Sequence, residues 1–202
     1  MAKIKIAVTG GPSGGKTTLI DALQKDLGSS LSVVAEAASL LYRGGFPRKP
    51  TTLHKYRGQR AICLIQRELE SLAEEVSQNL VLVCDRGSLD SVAYWPDGVE
   101  DFFQSLQTTR DAELARYQWV IHLDTADIEH FDTTNPVRTE SHLEALDLNA
   151  KIKVAWQGHP QRLIIPHADD FLHKIGKAKA AVQMIAKGSS FEEIRLALLL
   201  FP

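Results

Sequence analysis

The chain has 202 residues, is 44% hydrophobic, and sets 23 Lys and Arg against 25 Asp and Glu for a formal net charge of −2. This length suits one compact domain, 1–202, with at most a small lid insertion, and it argues against a second full domain. The balanced charge lacks the global basic excess that nucleic-acid binding calls for, so the expected partners are small molecules and no nucleic acid.

Residues 4–8, Ile-Lys-Ile-Ala-Val, have the β-branched character of a short strand. Met1-Ala2-Lys3 before it leaves no room for a secretory signal, and no apolar run approaches membrane-spanning length, so the expectation is a cytoplasmic protein with no membrane span. The strand pattern leads into Gly10-Gly11-Pro12-Ser13-Gly14-Gly15-Lys16-Thr17, a complete G-x-x-x-x-G-K-T loop, and residues 17–27 then carry apolar side chains at helical spacing up to Gly28. Strand, glycine loop and helix in this order form a phosphate-binding loop. Its backbone N–H groups curl inward at a β-phosphate, and the helix presents its positive N-terminal end to the same group. The predicted nucleotide contacts are Gly11, Pro12, Ser13, Gly14, Gly15, Lys16, Thr17 and Thr18. Lys16 bridges the β- and γ-phosphates and the Thr17 hydroxyl ligates Mg²⁺, which makes ATP or GTP with Mg²⁺ the expected ligand.

A second strand is predicted over residues 31–35, and residues 36–42 have a helix-compatible pattern that Gly44-Gly45-Phe46-Pro47 breaks. Residues 51–77 read as a long amphipathic helix whose stripe of Leu53, Tyr56, Ile62, Ile65, Leu69, Leu72 and Val76 should face a sheet. Leu80-Val81-Leu82-Val83-Cys84 is a continuous apolar run, the mark of a buried parallel strand. Further strands are expected at 119–123 and 162–165, with helices from 142 to 157 and from 169 to 187. The polar stretch 124–142 is where a lid is expected. Ser190 and Glu193 form a capping box opening a Leu-rich tail that reads as core packing. Cys63 and Cys84, without metal-ligand spacing, read as reduced core thiols, and the seven His show no zinc pattern.

A phosphate loop alone does not separate a kinase from a GTPase, an ABC subunit or a motor. The chain has neither an N-K-x-D segment nor an L-S-G-G-Q signature; after its third strand it carries Asp85-Arg86-Gly87-Ser88-Leu89-Asp90. Together with residues 9–19 and Ala35-Glu36-Ala37-Ala38, this segment resembles the P-loop family shared by the nicotinamide riboside kinase domain of NadR proteins and the AAA domain of a fly translocation-defect protein. The Glu after strand two and the Asp-Arg after strand three are also similar to deoxynucleoside and thymidylate kinases. The resemblance covers most of the chain and implies an α/β fold of the P-loop NTPase class: a five-stranded parallel sheet, helices on both faces, and a kinase-like lid.

The same resemblance implies a catalytic set of Lys16, Glu36, Asp85, Arg86 and Arg138. Glu36 would orient or deprotonate an attacking hydroxyl, and Asp85 would hold Mg²⁺ through water or share the base role. Arg86 would contact a phosphate or fix the carboxylates, and Arg138 would close over the phosphates from the lid-like segment. Glu36 also reads as a first-turn helix Glu favoured by the macrodipole, and Arg138 as a loop residue paired with Glu140. Arg43, Arg48, Lys49, His54, Arg57 and Gln66 lie where nucleoside-type kinases hold the acceptor. The resemblance makes Gln66 a base or sugar reader, and the basic cluster is either an anion attractor or a solvated loop.

Two functions fit these residues. One is an ATP-dependent, Mg²⁺-requiring kinase acting on a small hydroxyl acceptor such as a nucleoside or a nicotinamide riboside-like compound. The other is an ATP- or GTP-binding switch module that contacts a protein or a lipid headgroup. The acceptor is unidentified in either case, and a homodimer stays open.

Overall fold

The computed structural model describes residues 3–127, 141–168 and 170–201. Five strands, β1 (Ile4–Thr9), β2 (Leu31–Val34), β3 (Val81–Asp85), β4 (Trp119–Leu123) and β5 (Arg162–Ile165), form one sheet in the order β2-β3-β1-β4-β5. Every pairing is parallel, with Val8 opposite Asp85 and Thr9 opposite His122. The helices are α1 (Lys16–Leu27), α2 (Ala37–Arg43), α3 (Thr52–Val76), α4 (Val99–Ser105), α5 (Arg110–Leu114), α6 (His142–Ala155), α7 (Phe171–Ala186) and α8 (Phe191–Leu199). A 3₁₀ segment, Ser88–Tyr94, follows β3.

Alternation along β1 sends Ile6 and Val8 to one face of the sheet and Ala7 to the other. On the first face they meet Leu19 and Leu23 of α1, Val182 of α7 and Ile194 of α8. On the second, Ala7, Cys84 and Val120 pack against Cys63 of α3, Leu89, Phe102 of α4, and Ile152 and Trp156. Both faces of a parallel sheet are thus covered, which is why its strands read as continuous apolar runs. Cys63 and Cys84 are free and buried, as expected.

From β1 the chain crosses to β2 on one side, and from β3 to β4 on the other. Leaving β4, it continues outward to β5, so the strand order reverses between β1 and β4, and the carboxyl ends of β1 and its two neighbours β3 and β4 border the switch point where open α/β sheets bind ligands. Among the described residues no helix is long and apolar enough to cross a membrane.

Three elements differ from the sequence reading. The segment between β3 and β4 holds the 3₁₀ turn, α4 and α5, of five to seven residues each, too short for a 3.6-residue period to be read. The buried face of α3 is Gly58, Ile62, Cys63, Gln66 and Glu70, while Leu53, Leu72 and Val76 are exposed. Glu70 takes the inward position because Lys5, Arg116 and the Tyr117 hydroxyl all converge on its carboxylate. In the tail, Ile194 and Leu198 enter the core but Leu196 and Leu199 face outward.

Candidate nucleotide and acceptor site

The loop between β1 and α1 is shaped by its glycines. Gly10 has φ 127°, and a Cβ there would lie 2.0 Å from the Leu123 carbonyl oxygen of β4. Gly15, at φ 93°, turns the chain into α1, which begins without a side-chain cap. By contrast α3, α6, α7 and α8 are capped by Thr51, Ser141, Asp170 and Ser190. The uncapped first-turn N–H groups and the positive end of α1 make an anion site. Lys16 Nζ donates to the carbonyls of Gly10 and Gly11 at 2.9 and 2.7 Å. Burial, with the Arg86 charge added, pulls Lys16 down to about 7 against the opposing carboxylates of Asp85, Asp90 and Glu36.

The loop is tied from behind by residues the sequence reading passed over. The Gly11 N–H donates to Asn149 Oδ1 at 3.0 Å, and the same oxygen lies 2.9 Å from His122 Nε2. A carbonyl oxygen only accepts, so His122 carries its hydrogen on Nε2. Asn149 Nδ2 donates to Asp124 Oδ1 at 3.0 Å, and Lys153 Nζ reaches the same carboxylate at 2.6 Å. Burial alone would raise Asp124, but His122, Asn149 and Lys153 outweigh it and hold the carboxyl below the usual range. Thr133 and Arg138, with the rest of residues 128–140 of the predicted lid, lie outside the described residues.

Opposite the loop stand Glu36, at the N-cap of α2, and Asp85, the last residue of β3. Between them Arg86 has φ 74°, and its N–H donates to the Val8 carbonyl at 3.0 Å. Its guanidinium reaches Glu36 Oε1 at 2.5 Å and Asp90 Oδ2 at 3.2 Å. Asp90, buried at 3% exposure, also accepts from Trp156 Nε1 at 2.7 Å and from the Thr9 hydroxyl. The part of Asp90 is not legible from the sequence beyond its place at the end of the D-R-G-S-L-D motif, because Thr9 and Trp156 lie on distant segments.

Burial would raise Glu36, yet Arg86 and the Ser39 hydroxyl bring it down to about 2. Asp85 moves the other way, pushed up to about 6 by burial and by the neighbouring Glu36 charge. Among the described residues the Asp85 carboxylate makes no hydrogen bond. It lies on the cleft wall in the field of Arg86 and Lys16, and with the exposed Thr17 hydroxyl it forms a hard oxygen donor pair that fits Mg²⁺.

One cleft of about 1910 Å³ joins these groups. Its walls include the loop, Glu36, Asp85, Arg86 and Asp90, and on the α2–α3 side Arg43, Arg48, Lys49, His54, Lys55 and Gln59. Arg57 and Gln66 are not on that wall. Arg57 lies over the Tyr56 ring at 5.7 Å, and the Gln66 amide donates to Glu70 at 2.9 Å and to the Arg86 carbonyl at 3.4 Å. Gln59, two turns earlier on α3, occupies the lining position expected of Gln66.

With this geometry in place, residues 5–171 match the family model of an AAA domain. The chain belongs to that family. No curated protein matches its sequence. Among solved structures it is similar to thymidylate kinase from Candida albicans, at 15% identity and TM-score 0.59, over 93% of this chain and 92% of that one. It is also similar to deoxyadenosine kinase from M. mycoides solved with dCMP and dCDP, at 14% identity and TM-score 0.62, over 89% of this chain and 99% of that one. The same deoxyadenosine kinase with bound dATP matches at 14% identity and TM-score 0.59, over 92% and 100% of the two chains. These likenesses show that this AAA-domain protein has the fold of P-loop kinases, as the resemblance implied.

Proposed function

We propose that the protein is an ATP-dependent, Mg²⁺-requiring phosphotransferase acting on a small hydroxyl acceptor, such as a nucleoside or a nicotinamide riboside-like compound. The observation that carries this reading is the Glu36–Arg86–Asp90 group and the Asp85 carboxylate facing the phosphate loop across a single cleft. A nucleotide switch needs the loop; it does not need a braced carboxylate opposite it.

The residues divide the work. Lys16 and the α1 amides hold the donor phosphates, and Arg138, if it closes from the lid, adds charge there. Asp85 and Thr17 would hold Mg²⁺, which when bound neutralises charge on the β- and γ-phosphate oxygens. Glu36, kept ionised by Arg86 and Ser39, accepts a hydrogen bond from the attacking hydroxyl and aims it. A loose phosphoryl-transfer transition state needs aiming more than strong base catalysis, so a carboxyl near 2 suits that task.

The test is ADP formation from ATP·Mg²⁺ across a panel of nucleosides, ribosyl pyridinium compounds and their phosphate esters. Acceptor-dependent ADP that Glu36→Ala abolishes is the expected result. Acceptor-independent hydrolysis alone across the panel, or unchanged turnover in Glu36→Ala, would overturn the reading. The switch module would then be favoured, with the Gly11–Asn149 bond as its link from nucleotide to α6.

A further inference from the structure

Residues 37–67 contain seven Lys and Arg and no Asp or Glu, in a chain whose acids otherwise outnumber its bases. Such segregation has a cost in self-repulsion, and it creates a local positive field in an acidic protein. The structure turns part of this segment into one wall of the nucleotide cleft, through Arg43, Arg48 and Lys49 in the turn between α2 and α3. Arg48 is held over the Tyr42 ring at 5.0 Å, and Tyr42 is braced by Phe46 with ring centroids 6.5 Å apart. Arg43 and Lys49 have no carboxylate partner among the described residues. Lys55, the next cation on this wall, lies in the field of Glu144 from α6.

Resting on the phosphotransferase reading above, we propose that the acceptor carries a phosphate of its own, seated on Arg43, Arg48 and Lys49, and offers a free hydroxyl to Glu36. Three cations, two of them guanidiniums able to bind in a fork, suit a phosphate dianion better than a single carboxylate or a neutral sugar. The polarity of the cleft fixes which group goes where. One side of the cleft carries the carboxylates of Glu36 and Asp85, which repel an acceptor phosphate and welcome a hydroxyl; the turn between α2 and α3 brings cations and no carboxylate of its own, while Glu144 and Asp147 line the cleft from α6. In the reaction, the bond from the γ-phosphorus to the oxygen bridging it to the β-phosphate breaks. A bond from that phosphorus to the acceptor hydroxyl oxygen forms, and the hydroxyl proton is released to solvent. The products are ADP and an acceptor bearing two separate phosphate esters.

Matched pairs of acceptors test this: ribose and ribose 5-phosphate, glycerol and glycerol 3-phosphate, and nucleosides with their 5′-monophosphates. The expected result is at least a tenfold higher kcat/KM for the phosphorylated member of the accepted pair, with a second phosphate ester as product. In Arg43→Ala/Lys49→Ala that preference should fall at least tenfold, mainly through KM, and it should weaken as salt rises. Transfer that favours the unphosphorylated member overturns the inference and leaves the phosphotransferase reading standing. A diphosphate anhydride as product overturns the placement of the acceptor phosphate on that turn. ATP hydrolysis with no transfer to any acceptor overturns both. Vesicles containing phosphatidylglycerol or phosphatidylinositol form a separate arm: co-sedimentation lost in the double variant, without turnover of any soluble phosphate ester, assigns the wall to a lipid headgroup and overturns the small acceptor.

Discussion

The Gly11 amide and the Asn149 side chain are separated by 138 residues and meet at 3.0 Å, joining the phosphate loop to α6. Because Asn149 Oδ1 also takes the His122 hydrogen and Nδ2 is engaged by Asp124, no smaller side chain satisfies all three. Asn149→Ala should destabilise the protein by about 1–3 kcal/mol, since it strands a buried amide N–H and the His122 ring. It should also weaken ATP binding, because the loop loses its rear anchor. Thermal unfolding with and without added ATP measures both; a variant with unchanged midpoint and unchanged ATP shift would remove Asn149 from the loop's support.

Arg86 holds two carboxylates at once, and Asp90 is nearly fully buried. Arg86→Ala should cost about 3 kcal/mol by leaving those charges uncompensated. Arg86→Lys should recover part of this but not turnover, since one ammonium cannot reproduce the fork. Urea unfolding of the two variants, compared with their kcat, separates the structural part from the catalytic one.

Asp85 and Glu36 should give opposite pH signatures. Asp85 is raised from 3.8 to about 6, so its favourable contribution is complete below about 3.8 and is lost as pH rises through 6. Asp85→Asn should therefore stabilise the protein at pH 7 in the absence of nucleotide, by about 1–3 kcal/mol, with the gain vanishing near pH 4. Glu36 is lowered from 4.5 to about 2, so its contribution is present above 4.5 and lost as pH falls toward 2. Denaturant midpoints from pH 3 to 8 should show Asp85→Asn gaining across the window where Asp85 ionises, while its turnover falls.

Lys16, held near 7 by burial, should take up a proton when phosphates arrive. Below pH 7 it is already charged. Above pH 7 binding must draw the proton from solvent, so ATP affinity should fall as pH rises. Calorimetry in two buffers of different ionisation enthalpy reads the uptake directly, and Lys16→Met should abolish it. Equal apparent enthalpies in both buffers at pH 8 would contradict the assignment.

Glu70 offers a test away from the cleft. It is fully buried and shared by Lys5, Arg116, Tyr117 and Gln66. Glu70→Ala should cost about 3 kcal/mol: Lys5 keeps only Glu74, Arg116 keeps only its 3.7 Å contact with Glu113, and the Tyr117 hydroxyl and Gln66 amide lose their acceptor. Gln66 also binds the Arg86 carbonyl, so this variant should lower kcat through the turn at residue 86. Turnover per folded molecule, measured well below the unfolding temperature, checks that coupling.

The sequence by itself determined the strand, loop and helix at residues 4–27, the strand cores, and the capping box at Ser190. These are local: dihedral freedom at glycine, period and capping act over a few neighbours, and a string of residues records them. Only the tertiary structure decided which face of α3 turns inward, that Asp90 braces Arg86, that Asn149 and His122 hold Gly11, and that Gln59 rather than Gln66 lines the cleft. Each of these depends on partners brought together by the parallel sheet from positions far apart along the chain. There a buried polar group is stabilised by whatever satisfies it, and hydrophobic spacing along one helix carries no record of that partner.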